Sequence, residues 1–330
     1  MSGAGGTWVF DGEKKISSRL AASRPRHRIL GLEDGRFAKM VMGSFRLRAG
    51  VDPDPMTRRR LVNNRLVWRF LRRNSHPGLL RVFERVVDER GDEGFICEPL
   101  TTHLLNGDFP PHPATRSLRY FLETGAHLGD ALQVLHGQGK VHADVTPYNV
   151  LLRGDQSVLI DFERAVRIGQ YASELPGSDE DTKTVLTPQC CSPEHALRQP
   201  VTPASDIYCL AITMCSWVSE WIGVACPGEV QLPHVAIMRC AVGEYPHWDR
   251  VEERITATCV IELMKNSMSR DAAMRPQDGA AFAARCRGLL GELATELLDR
   301  PVVPMEQVAP WQESREALET CDDSLISLVQ

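Results

Sequence analysis

Residues 140 to 165 constrain this chain more than any other stretch: Lys-Val-His-Ala-Asp-Val-Thr-Pro-Tyr-Asn-Val-Leu-Leu-Arg-Gly-Asp-Gln-Ser-Val-Leu-Ile-Asp-Phe-Glu-Arg-Ala. Two short apolar runs, Val150 to Leu152 and Val158 to Ile160, are joined by Arg153 to Ser157 with Gly154 and Asp155 at the tip. That pattern predicts a tight hairpin. Its roots, Asn149 and Asp161, then lie side by side, and hard oxygen donors so placed suit Mg²⁺ carrying a phosphate. Asp144, five residues before Asn149, is placed to orient or deprotonate an attacking hydroxyl. The alternative is an ordinary hairpin whose polar residues only cap it.

The stretch resembles the catalytic loop and metal-binding hairpin of the protein kinase family, which writes H-R-D-x-K-x-x-N and then D-F-G. Here His142, Asp144, Pro147, Asn149, Asp161 and Phe162 match, while Ala143, Thr146 and Glu163 do not. The resemblance implies a bilobal α+β fold, a small antiparallel sheet lobe with one helix followed by a larger, mainly helical lobe. It implies ATP and Mg²⁺ as cofactors, with Asp144 as base and Asn149 and Asp161 as metal ligands. Phe37-Ala38-Lys39, on the second strand of a hairpin turning at Asp34-Gly35, resembles the family strand whose lysine contacts ATP phosphates. By the same resemblance Cys97 borders the adenine pocket, and the Glu98 carbonyl and Leu100 amide contact the base.

Further on, Leu186 to Glu194 resembles the family's T-P-x-x-x-A-P-E segment, with Ser192 in place of alanine. It implies Thr187 beside Asp144 in a groove for a protein substrate, and a buried Glu194–Arg275 ion pair. Asp206 resembles the residue that ties the catalytic loop through backbone hydrogen bonds. Ala143, where the family has arginine, implies switching without a phosphorylated loop.

Other positions depart from the family. The phosphate-covering loop falls near residues 17 to 24, Ser-Ser-Arg-Leu-Ala-Ala-Ser-Arg, with no glycine; Ser17, Ser18 and Ala22 are small enough for a close approach but lack glycine's freedom at positive φ. The small-lobe helix, expected over 58 to 73, shows an apolar stripe at Val62, Leu66, Phe70 and Val67, Leu71. The family's glutamate partner for the lysine maps to Val67, and no glutamate occurs from Lys39 to Pro77. Lys39 then needs another partner, with Asp161 the candidate. These losses leave a second reading, a pseudokinase scaffold, and a third, nucleotidyl transfer on the same fold.

Nine arginines and two aspartates between Phe45 and Pro77 make either a docking face for an acidic partner or a solvated helix face. Nucleic acid is disfavoured, since no aromatic residues interleave with the charge and the net charge is −5. Ten scattered cysteines without ligand spacing indicate neither zinc nor a disulfide framework. With no signal-like N-terminus and a polar-interrupted apolar run at Ile207 to Cys226, the expectation is a soluble cytoplasmic protein without a membrane span. Helices are expected at 116 to 138, 255 to 269 and 277 to 290, and a mobile loop at 166 to 185. The chain divides into an N-terminal extension (1–13), small lobe (14–100), large lobe (101–290) and acidic tail (291–330).

Overall fold

Alternation along Phe37 to Val41 sets the first layer: Ala38 and Met40 are fully buried, while Phe37 and Lys39 point to the opposite face. The computed structural model describes residues 7–11, 14–23, 27–43, 55–101, 112–170, 190–219, 251–252, 255 and 257–302. Strands β1 (Thr7–Asp11), β2 (Lys14–Ser23), β3 (His27–Leu32), β4 (Phe37–Val41), β5 (Val82–Asp88) and β6 (Glu93–Cys97) form a closed antiparallel barrel in the order β1-β2-β3-β4-β6-β5. Val9, Leu30, Leu32, Ala38, Met40, Val86 and Ile96 fill it. Arg28 of β3 pairs with Asp88 and, at 2.7 Å, with Asp92, joining two sides of the barrel in a buried ion cluster.

Residues Thr7–Asp11 therefore belong to the sheet and not to an extension: β1 pairs with β2 along its length and with β5 at Val9↔Asp88 and Phe10↔Val87. The expected phosphate-covering loop is also revised. Residues 17 to 23 continue β2, with an irregularity between Leu20 and Ala22, and the turn at 24–26 lies outside the described residues. Ser18 is buried, on the same strand face as Ile16, which packs on the barrel core. Its hydroxyl is thus turned away from the cleft, contrary to its expected place at the cofactor. Ser17 and Ala22 are strand residues of β2.

Gly94 of β6 passes Met40 of β4 so closely that a Cβ there would overlap the Lys39 carbonyl oxygen. Gly94→Ala is expected to destabilise the protein by about 1–3 kcal/mol or more, because backbone cannot yield as a side chain can. Urea unfolding measures it, and an unchanged midpoint would contradict this packing.

Helix α1 (Pro55–Arg73) starts at a proline, which suits the first helical turn, and packs on the barrel. The apolar stripe read from sequence is corrected: Leu61, Val67 and Leu71 are buried, whereas Val62 and Leu66 are each 51% exposed. Arg65 pairs with Glu93 at 2.7 Å, Arg85 joins the same carboxylate, and Arg72 donates to the Val82 carbonyl. Part of the basic charge is thus met within the lobe.

The second layer is built on α2 (Leu118–His136), whose Ser117 cap accepts from the Tyr120 amide. Short strands β7 (Lys140–Val141), β8 (Val150–Arg153), β9 (Gln156–Leu159) and β10 (Val166–Arg167) follow it. Helices α3 (Pro193–Ala196), α4 (Pro203–Ser219), α5 (Thr258–Ser267), α6 (Gly279–Glu292) and α7 (Thr295–Leu298) follow among the described residues. Its core joins Phe121, Leu122, Leu128 and Leu132 of α2 to Ile207, Leu210 and Met214 of α4 and Phe282 of α6. Two of its members, Leu298 and Val302, lie past the expected boundary at 290, and Leu118 N–H donates to the Arg300 carbonyl. The packed chain thus extends at least to Val302; residues 303–330, and most of the expected 166 to 185 loop, lie outside the described residues. Among the described residues no helix is long and apolar enough to cross a membrane.

Candidate active site

The hairpin forms as its sequence requires, with β8 and β9 in register Val150↔Leu159 to Arg153↔Gln156 and Gly154 at the tip at φ 61°. Its roots are fixed by the chain on either side. The Ile160 amide donates to the Asn149 carbonyl at 2.9 Å, which places the two roots together. Asn149 donates its side-chain amide to the Asp144 carbonyl at 2.8 Å and to Asp144 Oδ2 at 3.1 Å. Both amide hydrogens are thereby used, and the Asn149 side-chain oxygen remains as a hard acceptor.

Asp161 adopts a left-handed conformation, φ 61°, ψ 64°, and Ala143 has φ 62°. Aspartate tolerates this region better than alanine, and two such residues flanking one loop are the kind of strain that clusters at functional sites. The structure holds the loop from behind. Asp206 of α4, fully buried, accepts from the His142 amide at 2.6 Å, the Ala143 amide at 2.9 Å and His136 Nε2 at 3.0 Å. Burial alone pushes the Asp206 carboxyl up, but the His136 bond and neighbouring His142 hold it below the ordinary range. His142 accepts from the Asp144 amide at Nδ1, so its Nε2–H donates to the Ile160 carbonyl at 3.0 Å. Its ring meets Phe162 edge-on at 4.9 Å, and Phe162 in turn lies 5.7 Å from Phe70 of α1.

Lys39 closes the site from the barrel. Its Nζ lies 3.1 Å from Asp161 Oδ1 and 2.5 Å from Glu163 Oε1. Burial opposes its charge, yet the two carboxylates outweigh burial and hold the ammonium well above the usual lysine range. Burial pushes Asp161 up, but Lys39, with His27 and His142 nearby, holds it below its ordinary value. Asp144 is raised by burial, offset in part by the Arg164 guanidinium and His142. Arg164 was not singled out in the sequence; a cation three residues after Asp161 carries no motif that marks it.

On α1 the residue facing the hairpin root is Asn63, which donates to the Glu163 carbonyl, and not Val67, which is buried in the core. The remaining expected residues lie around this centre. Glu98 is buried, and its carboxylate accepts from the Arg81 amide at 2.8 Å and from Arg153 Nε at 2.7 Å, which fastens the strand end to the hairpin. Leu100 is half-buried beside Thr101, whose amide donates to the Leu152 carbonyl at 2.8 Å. Burial pushes the Cys97 thiol up to about 12, so it is a neutral lining group. Glu194 and Arg275 form a two-pronged ion pair at 2.9 and 3.0 Å, with Arg275 fully buried. Thr187 lies outside the described residues.

A strand lysine meeting a hairpin-root aspartate, beside a loop aspartate braced from the helical lobe, is an arrangement of the kinase class. A family model, the protein kinase domain, matches residues 72–282, and the chain belongs to the protein kinase family. The matched span begins on α1, downstream of Lys39. The chain is 32% identical over 215 residues to the serine/threonine-protein kinase PknA of Mycobacterium tuberculosis, covering 63% of this chain and 46% of that protein. It is 29% identical over 210 residues to the serine/threonine-protein kinase mos of Xenopus laevis, covering 56% and 52%. Against the DNA damage-responsive serine/threonine-protein kinase RqkA of Deinococcus radiodurans it is 29% identical over 223 residues, covering 65% and 31%. The matched part spans about half the length, or less, of these relatives.

Proposed function

We propose that the chain is an ATP-dependent kinase that transfers the γ-phosphoryl group to Ser or Thr hydroxyls of a protein. The observation that carries this reading is that a barrel lysine meets the loop and hairpin residues: Lys39 on Asp161 at 3.1 Å, with Asn149 on Asp144 at 3.1 Å. The oxygen donors of Asn149 and Asp161 fit a hard divalent cation such as Mg²⁺. When bound, the cation neutralises charge on the phosphates. Lys39 binds phosphate oxygens, and the Glu98 carbonyl and Leu100 amide receive the adenine. Asp144 accepts the hydroxyl proton, with Asn149 and the His142-anchored loop fixing its orientation. The printed names of the relatives support Ser/Thr as the acceptor.

The reading takes a barrel lobe through Leu100, a helical lobe from residue 101, and a protein-substrate groove that includes Thr187.

The second reading, a pseudokinase scaffold, is favoured by Thr146, a buried side chain where the family places a lysine. Thermal unfolding with ATP tests the nucleotide step common to both. A binder gains about 2.7 kcal/mol at one hundred times its dissociation constant, so the midpoint should rise with ATP and rise further with Mg²⁺. No shift in either condition would remove every nucleotide-based reading.

A further inference from the structure

Lys39 has no carboxylate to meet on α1, since that helix contains no acidic residue at all. It nevertheless has two carboxylates, and both come from the turn after the hairpin. Asp161 is the expected metal ligand, so its charge is shared once a cation binds. Glu163 carries no such commitment. Its Oε1 lies 2.5 Å from Lys39 Nζ and 3.2 Å from His27 Nε2 of β3. Its side chain is 23% exposed, sheltered between strand, helix and hairpin root.

We propose that Glu163 is the counter-ion that positions Lys39 for the phosphates of a nucleotide, replacing a helix carboxylate with one from the metal-site turn. The inference rests on the nucleotide reading of the site above.

Three features make Glu163 suited to this. The left-handed Asp161 leads directly into a tight turn over Phe162–Arg164, which brings residue 163 back beside the residue two before it. The Glu163 backbone is anchored independently of its carboxylate, because its carbonyl accepts from Asn63 on α1. The helix therefore still orders the lysine's partner, but through a backbone contact and not through an acidic side chain. Finally, Phe162 packs near Phe70 and His142, so the turn is fixed between helix and catalytic loop. Glu163, taken alone, reads as the loss of a motif glycine; with the loss on α1 it makes one compensated exchange.

The arrangement also specifies its own rescue. Asn63 already reaches the Glu163 carbonyl, so Asn63→Glu brings a helix carboxylate to the turn that Lys39 contacts. ATP dissociation constants are measured calorimetrically for the full chain, with EDTA and with Mg²⁺. Variants are Glu163→Gln, Glu163→Gly and Glu163→Gly combined with Asn63→Glu, each with its melting temperature. Losing a charge-assisted contact to the phosphate-binding lysine is expected to weaken ATP about tenfold or more in both single variants. The double variant should recover to within about threefold of wild type, the non-additivity expected of two carboxylates that serve one lysine. Glu163→Gln keeps the size and polarity of the side chain, so it reports even if Glu163→Gly unfolds. Unchanged or tighter ATP binding in Glu163→Gln overturns the proposal, the tighter result marking Glu163 as a clamp that withholds Lys39. Weakened binding with no recovery in a folded double variant also overturns it. Wild-type protein that binds no ATP sinks the nucleotide reading and this inference together, whereas wild-type binding that ignores residue 163 sinks the inference alone.

Discussion

Asp144→Asn should lower kcat by about 10²–10⁴-fold, the range spanned by a positioned general base, with ATP binding close to wild type. Asparagine keeps an oxygen for the Asn149 amide that now reaches Asp144 Oδ2 at 3.1 Å, so the loop geometry survives while the proton acceptor does not. Burial raises the Asp144 carboxyl above its ordinary value, toward the working pH, which makes the ionised group a better acceptor than an exposed aspartate. The Arg164 guanidinium and His142 limit that rise. Steady-state kinetics on a peptide substrate, with ATP affinity measured separately, distinguish the outcomes. A kcat within a few-fold of wild type would remove Asp144 from the chemistry.

Arg275→Ala should be the most destabilising of the changes considered, by about 3–5 kcal/mol, because it leaves a buried carboxylate without its cation. Arg275 is fully buried, holds both Glu194 oxygens and donates to the carbonyls of Ser269, Arg270 and Ala204. Ser205 then remains as the partner at 3.0 Å. The pH dependence gives an internal check. Burial pushes Glu194 up, but the Arg275 bond and charge outweigh it and hold the folded value below the ordinary one. The pair's contribution is therefore complete above the unfolded value, about 4.3, and is lost as pH falls through the lower folded value. In the variant only burial and weaker hydrogen bonds remain, so the Glu194 value rises and protonation relieves the stranded charge. The deficit of Arg275→Ala should accordingly be larger at pH 7 than at pH 4 in urea unfolding. A deficit independent of pH would show that packing, and not the ion pair, accounts for the loss.

What could be read from sequence follows how local each feature is. The hairpin at 149 to 161 was legible because its turn, its apolar runs and its polar roots are contiguous, and Ile160 to Asn149 is a short-range bond. The α2 helix was legible for the same reason. The apolar stripe of α1 was not, since Val62 and Leu66 repeat as regularly as Val67 and Leu71, and only contact with the barrel decides which set is buried. β1 escaped notice although its main pairing, with β2, is local; only its second pairing, Val9 with Asp88 of β5, joins distant residues. The Lys39–Asp161 contact spans 122 positions and was reachable only through the resemblance. Glu163 was visible as a departure, but its meeting with Lys39 was not. A substituted glycine announces a loss, and the gain appears only when strand and turn are brought together. Arg164 beside Asp144 belongs with it, as a charge set by the same turn.

The central claim is phosphoryl transfer by the centre formed by Lys39, Asp144, Asn149 and Asp161. Incubation with Mg²⁺ and ATP labelled at either the γ or the α phosphate, in the presence of a generic protein substrate, tests it most directly. The account predicts γ-label on serine or threonine, no α-label, and loss of the signal in both Asp144→Asn and Asp161→Ala. Incorporation of α-label would indicate nucleotidyl transfer, and ATP binding without incorporation of either label would contradict catalysis and leave a nucleotide-binding scaffold.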